Sequence, residues 1–297
     1  MGVEFRSINN SWVKEVLGVN LWEVIAPKDL EQIYAQWATQ GVLVFRRQSL
    51  SEKELVAFSA LFGATETTVR KEWASPLTPE IVLISNLKDI NNNHIGMPGS
   101  GDVDWHTDQS YVLSPATGAA LYGIDIPTDG GGTWWANLQN AYAALPADLK
   151  KRVEGKRAVF SYAKRLSGYD EKARVVSEEV KRKTPDITHP IVNKNPVTGR
   201  NCLYLDPGTT TGIEGMSQAE GMALLDELTA FVTKPEFTYR HDWQVGDVVL
   251  WDNGFMLHKR DEYESTQRRF HKRTTIRLPA ERNIVVEGRR YEATLAA

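Results

Sequence analysis

The alternation of apolar and polar positions predicts a chain of short strands interspersed with amphipathic helices. Residues 27–39 place apolar side chains at helical spacing between a proline and a glycine, which predicts a helix with clear ends. Residues 42–46 form an apolar run rich in β-branched side chains, which indicates a strand. Ser51 and Glu54 have the spacing of a capping box, so a second helix is expected to begin there.

The remaining sequence continues these patterns to the end of the chain. Further helices are predicted over 137–145, 148–153 and 217–231. Further strands are predicted over 81–85, around Trp105, and over 119–126, 133–136, 191–192, 201–205, 238–243, 247–251 and 273–278. Many short strands with helices outside them favour an α+β jelly-roll or barrel core over a doubly wound sheet. No linker divides the chain, so we expect one domain over residues 1–297.

Three segments lack these patterns. Residues 88–104 are a long polar stretch of the kind that forms functional lids. Residues 129–132 (DGGG) predict a turn rather than a phosphate-binding loop, because the spacing of such loops is absent. Residues 165–183 are strongly charged, which favours a solvated helical excursion over a basic binding site.

Composition narrows the classes of function. The chain has 35 Lys and Arg against 38 Asp and Glu, a net charge of −3 that argues against a nucleic-acid partner. A single cysteine, Cys202, excludes an intrachain disulfide and a cysteine-based zinc or iron–sulfur site. The first residues lack the apolar core of a signal peptide, and no run approaches the length of a membrane span. We therefore expect a cytoplasmic protein with no membrane partner.

The six histidines are then the candidate metal ligands. His106 is the only one with a carboxylate two positions later, Asp108, and on a strand both would point to one face. His258 follows an apolar run and a turn at 252–254, so we expect it just past a strand end. Two histidines and one aspartate are the set that holds non-haem Fe(II) and leaves positions open, whereas structural zinc needs a fourth ligand. Taken alone, His106 and Asp108 also fit an ordinary structural pair.

A cationic cluster follows His258 at residues 268–273. Arg269 and Arg273 are four residues apart, which places them on one face of a helix or a strand. Arginine binds carboxylates well because its planar fork donates two parallel hydrogen bonds. The cluster therefore predicts either a clamp for a dicarboxylic co-substrate or an exposed basic edge.

These motifs occur in one order along nearly the whole chain: His106-x-Asp108, Gly131-Gly132-Thr133, Trp251-Asp252-Asn253 with His258, and Arg269 with Arg273-Thr-Thr-Ile276. Together they resemble the taurine/2,4-dichlorophenoxyacetate dioxygenase family of Fe(II)- and 2-oxoglutarate-dependent oxygenases. The resemblance implies a double-stranded β-helix (jelly-roll, clavaminate synthase-like) core with surrounding helices. It also implies active-site lid segments at about 69–104 and 163–186, and a homo-oligomer, either a dimer or a tetramer.

The resemblance assigns roles to individual residues of this chain. Three would ligate iron: His106, Asp108 and His258. Two would bind the distal carboxylate of 2-oxoglutarate: Thr133 and Arg269. Arg273 would grip the acidic group of the prime substrate, and Trp105 and the backbone near Gln109 would border it. The substrate-anchoring segment at 69–75 departs from the family pattern, so Lys71 and Arg70 are candidates there without a matching position.

The chemistry that the resemblance implies uses Fe(II), 2-oxoglutarate and O₂. Decarboxylation of 2-oxoglutarate to succinate and CO₂ would drive hydroxylation of a small organic substrate. Arg273 favours an anionic substrate, and tryptophans at 73, 105, 134 and 135 favour a carboxylate with an apolar or aromatic body, although they also fit core packing. A sulfonate, a sulfate ester or an amino-acid-derived natural-product intermediate stays open as the substrate, as do desaturation and cyclisation. More distant alternatives are a zinc hydrolase and a non-catalytic jelly-roll binding protein.

Overall fold

Short strands dominate the structure, a computed structural model that describes residues 2–68, 70–167, 177–285 and 287–291. The helices of these residues are α1 (Pro27–Gln40), α2 (Glu52–Ala60), α3 (Leu138–Ala144), α4 (Ala147–Val153), α5 (Tyr162–Ser167), α6 (Glu178–Lys183) and α7 (Gln218–Val232). The strands are β1 (Glu4–Ser7), β2 (Lys14–Leu17), β3 (Val42–Phe45), β4 (Ala64–Thr65), β5 (Val82–Ser85), β6 (Val103–His106), β7 (Gly118–Asp125), β8 (Thr133–Asn137), β9 (Arg157–Phe160), β10 (Ile187–Pro190), β11 (Val192–Lys194), β12 (Asn201–Leu203), β13 (Thr210–Ile213), β14 (Thr238–His241), β15 (Val248–Asp252), β16 (Met256–Arg260), β17 (Phe270–Arg277) and β18 (Arg289–Arg290). Among these residues, helices accompany sheets whose strand pairs are antiparallel with one exception, so the expected α+β class is confirmed.

Two sheets position the candidate site. The larger has eight strands in the order β1-β2-β3-β15-β7-β17-β4, with β5 also paired to β17. The second has four strands in the order β14-β8-β16-β6. Further pairings join β13-β9-β10-β18 and β11-β12. Every pairing in the described residues is antiparallel except that of β2 with β3.

The eight-stranded sheet is covered on both faces. Leu43 and Phe45 of β3 belong to one apolar cluster, which includes Trp37 of α1. Val44, between them in sequence, belongs to a second cluster that includes Trp135 of β8 in the four-stranded sheet. Alternate residues of a strand point to opposite faces, so helices cover one face of the sheet and the second sheet lies against the other.

The predicted helix ends are confirmed by cap geometry. Gly41 ends α1 with φ of 80°, and a Cβ atom there would lie 2.7 Å from the ring of Phe255, so only glycine fits without rearrangement. Ser51 begins α2 with the predicted capping box to Glu54. The turn at 129–132 is also present, with positive φ at its second and third residues.

The structure corrects the local setting of two predicted ligands. Asp108 lies in a turn after β6, so it does not share a strand with His106. His258 is the middle residue of β16 rather than a residue past a strand end, because the turn after β15 starts a new strand at once. Eight short strands were not predicted, since two to five residues carry too little periodicity: β1, β2, β4, β9, β10, β13, β16 and β18.

The charged run at 165–183 is helical at both ends, in α5 and α6, and residues 168–176 lie outside the described residues. The predicted lid segment at 163–186 therefore falls partly outside them, whereas the segment at 69–104 is described except for its first residue. None of the described helices has the length and apolar composition of a membrane span.

Candidate active site

Two neighbouring strands bring the predicted histidine ligands together. His106 ends β6, His258 is central in β16, and the two are directly paired in the antiparallel register. Directly paired residues place their side chains on the same face, and the two imidazole centroids lie 4.1 Å apart. The turn after β6 adds Asp108, and the potential ligand atoms of the three side chains lie within 4.8 Å of one another.

A hydrogen bond orients His106, whereas Nδ1 of His258 is buried without a partner among the described residues. The Nδ1 atom of His106 lies 2.7 Å from the backbone oxygen of Asp104, to which it donates, so Nε2 keeps its lone pair. The Nε2 atom of His258 lies 4.0 Å from Oδ2 of Asp108, too far for a direct hydrogen bond. The three side chains thus bring potential metal-ligating atoms close together, and His258 and Asp108 do not bond each other.

Burial and neighbouring charges set the protonation states of the three side chains. Burial lowers the pKa of His258 to about 4 and also lowers the pKa of His106. Burial alone would raise the pKa of Asp108, but the positive charge of Arg273 is the largest opposing cause, and the net shift is downward. At neutral pH the imidazoles are neutral and the carboxyl is ionised, which are the states that bind a metal ion.

The donor set fits a transition metal with open coordination positions. Two imidazole nitrogens and one carboxylate are typical of non-haem Fe(II) sites, whereas closed structural zinc needs four ligands. Within the residues that the structure describes, no other group of three His, Cys, Asp or Glu side chains comes this close together. The three residues can therefore hold an ion and leave positions open for small molecules.

Aromatic side chains pack behind the histidines. The ring of Trp251 lies 5.2 Å from that of His258, and the ring of Trp135 lies 5.8 Å from Trp251. The Trp251 Nε1 donates to Oδ1 of Asn253 at 2.8 Å, which fixes the indole. Trp135 is wholly buried and belongs to this core, so it does not line a substrate cavity as the sequence had suggested.

Arg273 reaches the triad from the opposite sheet. It lies on β17, and its Nη1 donates to Oδ1 and Oδ2 of Asp108 at 3.2 and 3.4 Å. The Arg273 Nε is buried and has no partner among the described residues. Because a guanidinium carries five N–H donors, Arg273 can bond Asp108 and a second anion together. The bond to Asp108 was not predicted from the sequence.

Thr133 and Arg269, the residues expected to bind the distal carboxylate of 2-oxoglutarate, lie beside Trp243 and Tyr263 respectively. Thr133 begins β8, and its hydroxyl accepts from Nε1 of Trp243 at 2.9 Å, which leaves its own proton to donate. Arg269 is 2% exposed, and its guanidinium lies 5.7 Å from the ring centre of Tyr263. A Cβ atom at Gly131 would lie 3.6 Å from Cδ of Arg269, so the glycine turn packs against the Arg269 side chain.

Gln109 follows Asp108 in the chain, and its side chain forms hydrogen bonds that stabilise the local turn. Its backbone has φ of 55°, a left-handed conformation that few residue types adopt. Its side chain donates to Glu66 at 3.1 Å and accepts from Arg277 at 3.0 Å. Arg277 also donates to the backbone oxygens of Ser114 and Pro115. These bonds hold the turn that carries Asp108.

Trp105 lies on the opposite face of β6 from His106, because the two are adjacent in the strand. The ammonium of Lys259 lies 5.5 Å from the Trp105 ring centre and 5.1 Å from that of Trp134. The two tryptophans thus enclose Lys259, and the structure does not bring Trp105 together with the triad.

The other predicted substrate residues lie at the start of the segment 69–104. Arg70 stacks over Trp73 at 4.8 Å and pairs with Glu72 at 3.4 Å. Lys71 is exposed. Within the described residues, the hydrogen bonds of Arg70 stay inside its own segment, and neither residue contacts the triad.

A buried carboxylate behind the triad was missed by the sequence analysis. Asp206 accepts from Ser110 at 2.5 Å and from the backbone N–H of Gly208 at 2.9 Å, and burial raises the pKa of Asp206 to about 6. A Cβ atom at Gly208 would lie 3.2 Å from Nη1 of Arg165 and 3.9 Å from Cβ of His106. Arg165 is thus half-buried near the triad rather than on a fully solvated face. No sequence signal links Ser110 to a partner 96 residues away.

Comparison with known proteins places the chain among characterised sequences. The family model described as taurine catabolism dioxygenase TauD, TfdA family matches residues 4–275. Pentalenolactone F synthase from Streptomyces avermitilis is 32% identical over 272 residues, which are 86% of this chain and 87% of the relative. An alpha-ketoglutarate-dependent 2,4-dichlorophenoxyacetate dioxygenase from a Burkholderia species is 30% identical over 288 residues, with 93% and 94% covered.

A solved structure is similar over nearly the same range. The crystal structure of AAD-2 in complex with Mn(II) and N-oxalylglycine superposes with a TM-score of 0.79 at 27% identity. The similarity covers 94% of this chain and 98% of that one.

Proposed function

This chain belongs to the taurine catabolism dioxygenase TauD, TfdA family, and we propose that it couples conversion of 2-oxoglutarate to succinate and CO₂ with hydroxylation of a small anionic substrate. The observation that carries the proposal is the meeting of His106, Asp108 and His258, whose potential ligand atoms lie within 4.8 Å of one another. This donor set leaves coordination positions open, as an oxygenase that binds a co-substrate and O₂ requires.

The cofactors of the proposed reaction are Fe(II), 2-oxoglutarate and O₂. His106, Asp108 and His258 would hold the metal ion, which supplies the redox chemistry when bound. The Asp104 carbonyl keeps His106 in the tautomer that can ligate. The guanidinium of Arg273 keeps Asp108 ionised, because its charge favours the carboxylate form.

In this proposal Arg269, just before β17, and Arg273, within β17, bind different anions. Arg269 and Thr133 bind the distal carboxylate of 2-oxoglutarate, since one supplies a charged fork and the other a hydroxyl proton. Arg273 holds the acidic group of the prime substrate through donors that its bond to Asp108 leaves available. Gln109 acts through its backbone turn, while Trp105, Arg70 and Lys71 have no supporting contact with the triad.

The prime substrate is proposed to be a carboxylate with an apolar or aromatic body. Support comes from the name of the relative that acts on 2,4-dichlorophenoxyacetate. The tryptophans add no support, because Trp135 lies in the core and Trp134 stacks on Lys259. The alternative is a sulfonate, a sulfate ester or a natural-product intermediate, and the relative named pentalenolactone F synthase favours the last of these. For such an intermediate, desaturation or cyclisation would follow the same hydrogen abstraction.

The proposal also covers the architecture of the protein, its lid segment and its oligomeric state. The two packed antiparallel sheets support a double-stranded β-helix core within one domain, residues 1–297. The segment at 69–104 supports a lid role through its last part, because the backbone oxygen of Gly99 accepts from Tyr263 beside Arg269. A homo-oligomer and a cytoplasmic location rest on the family resemblance and on composition, and sizing chromatography with light scattering tests the oligomer.

A succinate-release screen tests the proposed function. Purified protein with Fe(II), ascorbate and 2-oxoglutarate is assayed in air against carboxylates, sulfonates, sulfate esters and amino-acid derivatives. Substrate-dependent succinate is expected with at least one anionic compound, and it should be absent in Asp108→Ala and retained in the surface variant Arg268→Gln. Iron-independent hydrolysis of the same compounds would instead indicate a zinc hydrolase. Binding of a compound without turnover, unchanged in Asp108→Ala, would indicate a binding protein.

A further inference from the structure

Several buried polar atoms lack partners near Thr133 and Arg269. The Nε atoms of Arg260 and Arg269 and both ring nitrogens of His271 have no hydrogen-bond partner among the described residues. Buried polar groups are normally hydrogen-bonded, because an unpaired one costs the free energy of its lost hydration. Four unpaired donor or acceptor atoms in neighbouring side chains therefore indicate a place where a polar ligand binds.

Arg260 lies directly opposite Thr133. The two are paired in the antiparallel register of β16 with β8, so their side chains share a face. That face is also the face of His258, two residues earlier in β16. The guanidinium of Arg260 lies 5.4 Å from the ring centre of Tyr263, and that of Arg269 lies 5.7 Å from the same ring. Both guanidiniums thus lie beside one phenol ring, and their charges act on each other.

His271 completes this group from β17. Its side chain is wholly buried, and its ring packs edge-on against Trp243 with centroids 4.7 Å apart. Trp243 is the residue that donates to the Thr133 hydroxyl. Burial lowers the pKa of His271 well below its usual value, and the charges of Arg269 and Arg260 lower it further. His271 is therefore neutral, with one N–H to donate.

The charges of this group call for an anion. Burial lowers the pKa of Arg269 to about 9, and the nearby charge of Arg260 contributes to this shift. Arg269 is buried, whereas Arg260 is partly buried and its Nη2 donates to the backbone oxygen of Gly101. The Nε–H groups of both remain unpaired among the described residues, and a carboxylate between them would accept those hydrogen bonds and offset the repulsion of the two charges.

We propose that Arg260 and His271 join Thr133 and Arg269 in binding the distal carboxylate of 2-oxoglutarate, and that they set the preference for a 2-oxo diacid over a 2-oxo monoacid. The assignment rests on the proposed function, because it places the co-substrate in this pocket. Arg260 donates its free Nε–H, and neutral His271 donates one ring N–H. The near end of the co-substrate lies toward the triad, where neither residue reaches.

A ligand cycle tests the assignment without turnover. Calorimetric titrations under argon, on protein loaded with Mn(II), compare 2-oxoglutarate with 2-oxopentanoate, in which a methyl group replaces the distal carboxylate. Loss of a charge-assisted hydrogen bond predicts that Arg260→Gln weakens 2-oxoglutarate about 10- to 100-fold and 2-oxopentanoate less than about two-fold. His271→Leu should weaken 2-oxoglutarate about 5- to 10-fold, and His271→Gln should recover part of this because its amide keeps an N–H.

Lys259→Gln is the matched control, since it removes a neighbouring positive charge from the opposite face of β16. It should leave both affinities within about two-fold of wild type. Equal 2-oxoglutarate affinity in wild type, Arg260→Gln and His271→Leu would overturn the pocket assignment alone. Equal loss of both ligands in the variants would also overturn it, because the effect would not depend on the distal carboxylate. Failure of the wild type to bind either 2-oxo acid would overturn the proposed function as well.

Discussion

Two buried clusters in this protein contain the same residue types, histidine, aspartate and arginine, but they differ in where their donor atoms point. In the first, which we name the closed cluster, the residues are Arg46, Tyr239, His241 and Asp247. Tyr239 Oη lies 2.9 Å from Nδ1 of His241, and Nε2 of His241 lies 2.9 Å from Oδ2 of Asp247. Arg46 donates to that same oxygen at 2.5 Å. Both nitrogens of the imidazole are thus used within the protein.

The open cluster comprises His106, Asp108, His258 and Arg273. Its two imidazoles face each other without a hydrogen bond between them, and Nε2 of His258 stays 4.0 Å from Asp108. Arg273 bonds the carboxylate directly, through both oxygens of Asp108. The comparison teaches that burial and residue type do not identify a functional site, because the closed cluster has both. Donor atoms that converge on a shared point without bonding one another identify the site.

The largest expected difference between the clusters is in turnover. His258→Gln should reduce succinate release to background, because a two-ligand site does not retain the ion, while His241→Gln should stay within about three-fold of wild type. Stability should respond in the opposite way, with the larger loss in His241→Gln. His241→Gln should lower the free energy of unfolding by about 1–3 kcal/mol, since Tyr239 and Asp247 lose a partner. Urea unfolding of the metal-free proteins measures this, and a stable but inactive His241→Gln would erase the distinction.

The carboxylates of the two clusters give the next largest contrast, this time in stability. Asp247→Ala should destabilise the protein by about 3–5 kcal/mol, because Arg46 and His241 would remain buried without their shared partner. Asp108→Ala is the matched variant, and it should cost less in the metal-free protein because the Arg273–Asp108 hydrogen bonds, at 3.2 and 3.4 Å, are longer than the 2.5 Å bond of Arg46 to Asp247. Both values come from urea unfolding with a chelator present. A larger loss in Asp108→Ala would mean that the open cluster also supports the fold.

The sequence predicted the members of the open cluster because a short motif and a family resemblance both pointed to them. It predicted their local setting less well. His258 was expected after a strand and lies within β16, since a strand of five residues leaves little periodicity to detect. The same limit hid the pairing of Arg260 with Thr133, which depends on strand register. Helix ends were predicted well because capping depends on residues only three or four positions apart.

Arg273 of the open cluster and Arg46 of the closed cluster should also differ, with smaller effects than the substitutions above. Loss of Arg273 should affect substrate binding, and loss of Arg46 should affect stability. Arg273→Gln should raise the half-saturating concentration of the prime substrate about 10-fold, and 2-oxoglutarate should still decay without substrate. Arg46→Gln should leave both kinetic measures near wild type and lower stability by about 1–2 kcal/mol. Succinate assays at varied concentrations of each compound measure the first effect. A selective rise in the 2-oxoglutarate requirement in Arg273→Gln would exchange the roles proposed for Arg273 and Arg269.

The smallest expected effect is on the pH dependence of stability. Burial lowers the pKa of His241 in the folded protein, so below the usual histidine pKa of about 6.5 the unfolded chain binds the extra proton. Stability is therefore lost as the pH falls below that value. The slope should be shallower in His241→Gln by up to about 1 kcal/mol per pH unit. Unfolding curves between pH 5 and 7, with a chelator present, would show no change in slope if His241 were charged in the folded state.

Metal stoichiometry measured by anaerobic calorimetry tests the central claim most directly. Titration of Fe(II) or Mn(II) into the metal-free protein should give one ion per chain for the wild type and for His241→Gln. The same titration should give no tight site for His258→Gln or Asp108→Ala, although both remain folded. Full metal affinity in His258→Gln and Asp108→Ala, or its loss in His241→Gln, would contradict the account, because the open cluster would then not be the metal site.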